Sequence, residues 1–223
     1  MTLADDARRL NLRTRGRADS SRLPRSPLPA LILLTDEGRL ADPSTAVARL
    51  PRGTAVILRH YGLPKTARTA LARKLRKITR ARGILLLLAV TDAADDALAR
   101  AVRADGIHLP EWRVRHGARR ALHGRMPHWL VTAAAHSVAA LRRAAAQGAD
   151  AALLSPVFAT ASHTAARPLG VLRFAAWSRL SRIPVYALGG IDTRSAARLR
   201  LTRACGLAGI GGLGSVDRGP GRG

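Results

Sequence analysis

Two paired-glycine turns are the residues best suited to chemistry. Leu188-Gly189-Gly190-Ile191-Asp192 follows one short apolar run, and Gly209-Ile210-Gly211-Gly212 follows the next. Glycines at the end of a strand let backbone N–H groups approach an anion closely, and a helix starting there adds the positive end of its dipole. Gly189, Gly190, Gly211 and Gly212 therefore form a candidate phosphate cup. Glycines also serve ordinary tight turns, and here position favours the cup, because barrels of strand–helix units hold phosphate in the loops after their seventh and eighth strands. The single cysteine, Cys205, has no Cys or His at metal-ligand spacing beside it and reads as a small core residue.

The elements that must position these turns follow from periodicity. Short Leu-rich or β-branched runs alternate with Ala/Arg/Leu stretches at helical spacing, the pattern of βα units on a parallel sheet. Eight strands are expected near Ala30–Leu34, Ala55–Arg59, Ile84–Val90, Gly106–Leu109, Trp129–Thr132, Ala151–Leu154, Pro184–Leu188 and Gly206–Ile210. Helices are expected at Thr66–Arg82, Asp92–Arg103, Ser137–Gln147, Val171–Ser181 and Thr193–Cys205, with a further one after Glu111 and a short one around Ser44–Leu50. Eight alternations predict a single parallel (β/α)8 barrel, and no GxGxxG follows the first strand to suggest a dinucleotide fold.

The expected organisation is an Arg-rich extension over residues 1–29 with a short helix at its start, a barrel over 30–212, and a Gly-rich tail over 213–223. Glycines after the last strand predict that no regular eighth outer helix forms there. Apolar surface between the first and seventh helices then faces solvent unless the extension or a partner chain covers it, so a homo-oligomer is one expectation.

A formal net charge of +24 is compatible with a polyanionic partner. The charge is nearly all arginine and is spread over most expected helices, as at Arg73, Arg76 and Arg80 or Arg194, Arg198 and Arg200. That is a solvated face repeated around a barrel. With aromatics at 3% of residues, there is little material for base-stacking platforms, so only nonspecific nucleic-acid binding is expected. No uncharged apolar run approaches the roughly eighteen residues of a membrane span. Charged residues at Asp5, Asp6, Arg8 and Arg9 stand where a secretory signal would be apolar, and a cytoplasmic location is expected.

Seven segments, in order and spacing, carry a resemblance to a known family: Leu31-Ile32-Leu33-Leu34-Thr35-Asp36, Ala104-Asp105-Gly106-Ile107-His108-Leu109, His136-Ser137, Gly148-Ala149-Asp150, Pro156-Val157-Phe158-Ala159-Thr160, Pro168-Leu169-Gly170, and Ile183 through Ile191. From about Leu31 to about Gly212 the chain resembles thiamine phosphate synthase and its TenI relatives. The resemblance implies a barrel that joins an aminopyrimidine pyrophosphate to a thiazole phosphate and releases pyrophosphate with the help of magnesium.

Position by position, the resemblance implies phosphate or substrate contacts from Arg59, Thr160, Ser162 and Arg167 as well as the four glycines, and catalytic roles for His136, Ser137 and His163. It also shows departures. The family's Gln-x-Arg-x-Lys at the end of the second strand is Ile57, Arg59 and Tyr61 here, so only the arginine is kept. Its Asn-Asp pair falls on Ala93 and Ala94, with Asp92 as the nearest substitute, and its second metal-binding Asp falls on Arg113, with Glu111 as the nearest carboxylate. A Ser two residues before His136 is Ala134, and the lysine of the sixth loop is His163. Magnesium prefers carboxylate oxygens, so Asp92 and Glu111 are the candidate ligands of a largely lost site. Three functions stay open: a weak thiamine phosphate synthase, a TenI-like thiazole tautomerase with His136 as acid/base, and an inactive barrel binding a phosphorylated ligand or a partner.

Overall fold

The computed structural model describes residues 2–15, 27–116, 126–160 and 167–210. Eight parallel strands close into a barrel in sequence order. They are β1 (Leu31–Leu34), β2 (Ala55–Leu58), β3 (Leu85–Ala89), β4 (Gly106–Leu109), β5 (Leu130–Ala135), β6 (Ala151–Leu154), β7 (Val185–Leu188) and β8 (Ala204–Ile210). The ring shuts where Leu31 faces Leu207 and Leu34 faces Ile210. The described helices are α1 (Leu3–Arg15), α2 (Ser44–Ala48), α3 (Lys65–Arg82), α4 (Ala93–Ala101), α5 (Glu111–Arg115), α6 (Val138–Ala146), α7 (Gly170–Leu180) and α8 (Thr193–Ala197).

Successive strand residues point to opposite faces, so each strand serves two layers. Ile32, Leu34, Ile57, Leu87, Leu153 and Tyr186 fill the barrel interior. Between them, Leu33, Val56, Leu58, Leu86, Leu88 and Ile107 face out and pack with Val47, Leu75 and Ala99 of the helices. Both faces being apolar explains why the strands read as continuous hydrophobic runs.

The expected elements are found, with two corrections at their boundaries. β5 runs on to Ala135 instead of stopping at Thr132. The helix expected over Thr193–Cys205 ends at Ala197. Leu199 and Leu201 continue a helical spacing, but the chain instead turns at Thr202, whose N–H (2.9 Å) and hydroxyl (2.7 Å) both donate to the Leu199 carbonyl. This turn frees Ala204 to pair with Val185 and start β8 early.

α1 lies in the segment read as an extension, and it covers the seam beside β8 and β1. Ala7 and Leu10 pack with Leu31, Leu199 and Leu207. Asn11 Nδ2 donates to the Cys205 carbonyl (2.9 Å), and the Arg200 guanidinium donates to the buried Asp6 carboxylate (2.9 Å). α1 thus packs on the β8 and β1 side of the barrel; residues 211–223 lie outside the described residues. Leu10 is 2% exposed within this cluster. Leu10→Ala is expected to lower the unfolding free energy by about 2–5 kcal/mol, as large-to-small core changes do, measured by urea denaturation; unchanged stability would mean the helix is not part of the barrel wall.

Candidate functional site

At the C-terminal ends of the strands, a cavity of about 570 Å³ opens among the loops. Its walls include Arg59 and Tyr61 after β2, Glu111 and Trp112 after β4, His136 after β5, Pro156 and Thr160 after β6, and Gly189, Gly190 and Asp192 after β7. Its floor carries Leu34 and His108.

Arg59 is held by the loop after β1. Its Nε donates to the Thr35 carbonyl (2.9 Å) and its NH2 to the Asp36 carboxylate (2.7 Å). Thr35 Oγ1 accepts the Arg59 backbone N–H (3.1 Å) and pairs with His60 Nδ1 (2.9 Å). The cation faces the cavity with its charge already matched by Asp36.

His136 sits at the end of β5, where a carboxylate from another loop fixes the backbone. Glu111 Oε2 accepts the His136 N–H (3.0 Å), and Glu111 Oε1 receives Arg143 of α6 (3.3 Å). The imidazole Nδ1 lies 2.9 Å from the Ser155 carbonyl, which can only accept, so Nδ1 carries the proton and Nε2 is the basic nitrogen. Ser137 is spent differently: its hydroxyl accepts the Ala140 N–H (3.1 Å) and caps α6.

The Gly189–Gly190 turn has a structural reason as well as room for an anion. Both residues have positive φ, +98° and +63°. A Cβ at Gly190 would lie 2.5 Å from the Ala159 carbonyl oxygen and 2.7 Å from Phe158 Cβ. The Val157 and Phe158 N–H groups donate to the Leu188 (2.9 Å) and Gly189 (3.0 Å) carbonyls, strapping the β6 loop onto this turn. Asp192 caps α8 and is held below the usual carboxylate range by the Ser195 backbone N–H.

Of the residues the sequence singled out, Arg59, Glu111, His136, Thr160, Gly189 and Gly190 converge on the cavity. Asp92, Ser137 and Arg167 are not in its lining. Ser162, His163, Gly211 and Gly212 lie outside the described residues. Sequence reasoning missed the floor. His108 is buried, with Nδ1 2.9 Å from Thr132 Oγ1, which also reaches the Ile107 carbonyl at 3.4 Å. The hydroxyl donates to that carbonyl and accepts from Nδ1–H, which leaves Nε2 as an acceptor. The available signal was the alternation of β4: Ile107 and Leu109 belong to the helix-facing layer, so His108 must point inward.

The thiamine monophosphate synthase family model matches residues 31–213. The chain belongs to this family. A putative thiamine-phosphate synthase 2 of Aquifex aeolicus (strain VF5) is 34% identical over 186 residues, covering 82% of this chain and 96% of the relative. A thiamine-phosphate synthase of Methanoculleus marisnigri (strain ATCC 35101 / DSM 1498 / JR1) is 35% identical over 184 residues, covering 80% and 84%. Among solved structures, a thiamine phosphate pyrophosphorylase from Pyrococcus furiosus superposes with a TM-score of 0.66 at 26% identity, over 81% of this chain and 84% of that one.

The resemblance implies magnesium, and the carboxylates among the described residues do not fit it. Asp92 accepts the Asp95 N–H (2.9 Å) as the cap of α4, which holds it below the usual carboxylate range. Both Glu111 oxygens are engaged by His136 and Arg143. Asp95 binds Arg68 and Thr91, and Asp96 receives Arg113 (2.8 Å). Among the described residues no group of three or more His, Cys, Asp or Glu converges. A hard dication needs several free oxygens around one point.

Burial pushes His108 down to about 3, with a smaller contribution from the Arg59 charge. A histidine depressed in the folded state is neutral there while its unfolded counterpart takes up a proton below about 6.5. Stability from this group is therefore full above about 6.5 and declines as pH falls toward 3. In paired pH–denaturation series, the wild type is expected to show a steeper loss across that window than His108→Gln, by up to about one proton; identical slopes would show that His108 is not buried neutral.

Proposed function

We propose that this barrel binds phosphorylated thiazole or pyrimidine compounds at its mouth, with the phosphate on the Gly189–Gly190 turn, and that it forms thiamine phosphate only weakly. One observation carries the reading. The two arginines that the resemblance aligns with the family's pyrophosphate and metal positions are matched by carboxylates of the chain itself: Arg59 by Asp36 and Arg113 by Asp96.

Joining the two rings expels pyrophosphate, and donors aimed at the departing oxygens supply most of the stabilisation such a step can receive. Tyr61, Ala94, Arg113 and His163 stand where the resemblance places lysine, carboxylate, carboxylate and lysine. Arg59 remains as a donor, but two of its N–H groups are committed to Thr35 and Asp36. Thr160 lines the cavity wall, where it would meet the substrate, and His108 at the floor would offer an uncharged acceptor.

A second reading, thiazole tautomerisation, is favoured by the geometry of His136. With Nδ1–H held by Ser155 and the backbone pinned by Glu111, Nε2 is in the form a general base requires.

Loss of one oxyanion-stabilising donor costs about 10²–10³ in rate. Purified full-length protein, given the pyrimidine pyrophosphate, the thiazole phosphate and magnesium, is expected to turn over at least about 10²-fold more slowly than an active family synthase assayed alongside. Turnover matching that enzyme and abolished by EDTA would overturn the weak-synthase reading. Measured thiazole isomerisation that is lost in His136→Ala would favour the tautomerase instead.

A further inference from the structure

We infer that Tyr61 and Trp112 determine ligand specificity at the mouth, forming an aromatic wall that holds the flat ring of a heteroaromatic monophosphate where a pyrophosphate-binding wall would otherwise stand. The inference rests on the phosphate reading of the Gly189–Gly190 turn and specifies what occupies the opposite side of the cavity.

The chain has only three tryptophans, two tyrosines and two phenylalanines. It hides most of that surface: Trp129, Phe174 and Tyr186 are buried, and Phe158 and Trp177 are partly so. The two exposed aromatics are Tyr61 at 47% and Trp112 at 49%. Both line the same cavity, although they come from loops after different strands. Exposed aromatic area brings no folding benefit, so its concentration at one opening points to a ligand that covers it.

Tyr61 is also oriented. The Arg68 guanidinium lies 6.0 Å from its ring centroid, and Arg68 itself is fixed by Asp95, the Ala89 carbonyl and the Arg59 carbonyl. A fixed cation on one side of the ring leaves the Tyr61 side chain little freedom at the cavity wall.

Charge argues in the same direction. Within a chain of net +24, the described charged side chains lining the cavity are two arginines, Arg39 and Arg59, and two carboxylates, Glu111 and Asp192. Arg59 is further matched by Asp36. Such a balanced wall suits a ring and a single phosphate better than a pyrophosphate, whose extra charge needs surplus cations.

Stacking on an aromatic side chain, removed by alanine, typically changes affinity by about 5- to 150-fold. The test is calorimetry on the full chain with thiamine phosphate, inorganic phosphate and inorganic pyrophosphate as probes, for wild type, Tyr61→Ala, Trp112→Ala and Trp112→Phe. Both alanine variants are expected to bind thiamine phosphate at least about 5-fold more weakly while keeping wild-type affinity for inorganic phosphate. Trp112→Phe should retain most of the affinity. Ligand-induced quenching of tryptophan fluorescence should be present in wild type and lost in Trp112→Phe, since Trp129 and Trp177 remain as silent controls. Thermal unfolding checks that these half-exposed substitutions leave the barrel folded. Unchanged thiamine phosphate affinity in both alanine variants overturns the aromatic wall while the phosphate site stands. Tighter wild-type binding of pyrophosphate than of thiamine phosphate also overturns it. Failure of wild type to bind any of the three probes overturns the phosphate site and the wall together.

Discussion

The closure of β8 onto β1 fixes which way each strand side chain points. Once Leu31 to Leu34 pair in parallel with Leu207 to Ile210, no strand has a free edge, and each must present one face to the interior and one to the helices. Orientation at the site follows from that condition. His108 faces inward because Ile107 and Leu109 belong to the helix-facing core. The loops after β2, β4, β5, β6 and β7 then converge by geometry alone, and so residues as far apart as Arg59 and Gly190 share a cavity. Closure also creates the seam that α1 covers, tying the N-terminal segment to β8 through Asn11 and to the turn before it through Asp6 and Arg200.

The motifs that make the sequence recognisable divide between the two ends of the barrel. Asp105, in Ala104-Asp105-Gly106, accepts the Leu86 N–H (2.8 Å) and pairs with Arg76 (2.6 Å). Asp150, in Gly148-Ala149-Asp150, accepts the Val131 N–H (2.8 Å). Each carboxylate sits just before its strand and satisfies a backbone donor on a neighbouring strand, at the N-terminal face where barrels keep their stabilising residues. These motif residues carry the architecture. The cavity opens on the opposite face, among the loops that follow the strands.

The same division explains what could be read from sequence. The strands were legible because both their faces are buried, leaving apolar runs without polar interruption. The glycine turn after β7 was legible too, although its glycines answer first to the close approach of Phe158 and Ala159. The fate of the carboxylates was not. Asp92 and Glu111 look alike in a sequence, and what they do depends on which N–H lies within reach after folding: the Asp95 amide for one, the His136 amide for the other. Nor could helical spacing reveal that the chain abandons the helix at Ala197, since the competing requirement, pairing of Ala204 with Val185, is set by a strand distant in sequence.

Net charge and local charge part company at the mouth. A chain of +24 would be expected to offer anions a strong general field, and its arginine-rich helix faces do so at long range. A bound anion responds instead to cations within a few ångströms of it. At the positions that the resemblance aligns with pyrophosphate and metal, Arg59 is paired with Asp36 and Arg113 with Asp96. An arginine at position 113 cannot serve as a metal ligand, and it engages one oxygen of the neighbouring Asp96 carboxylate. Replacing Arg113 alone by aspartate would leave Asp92 still capping α4 and Glu111 still holding the His136 backbone.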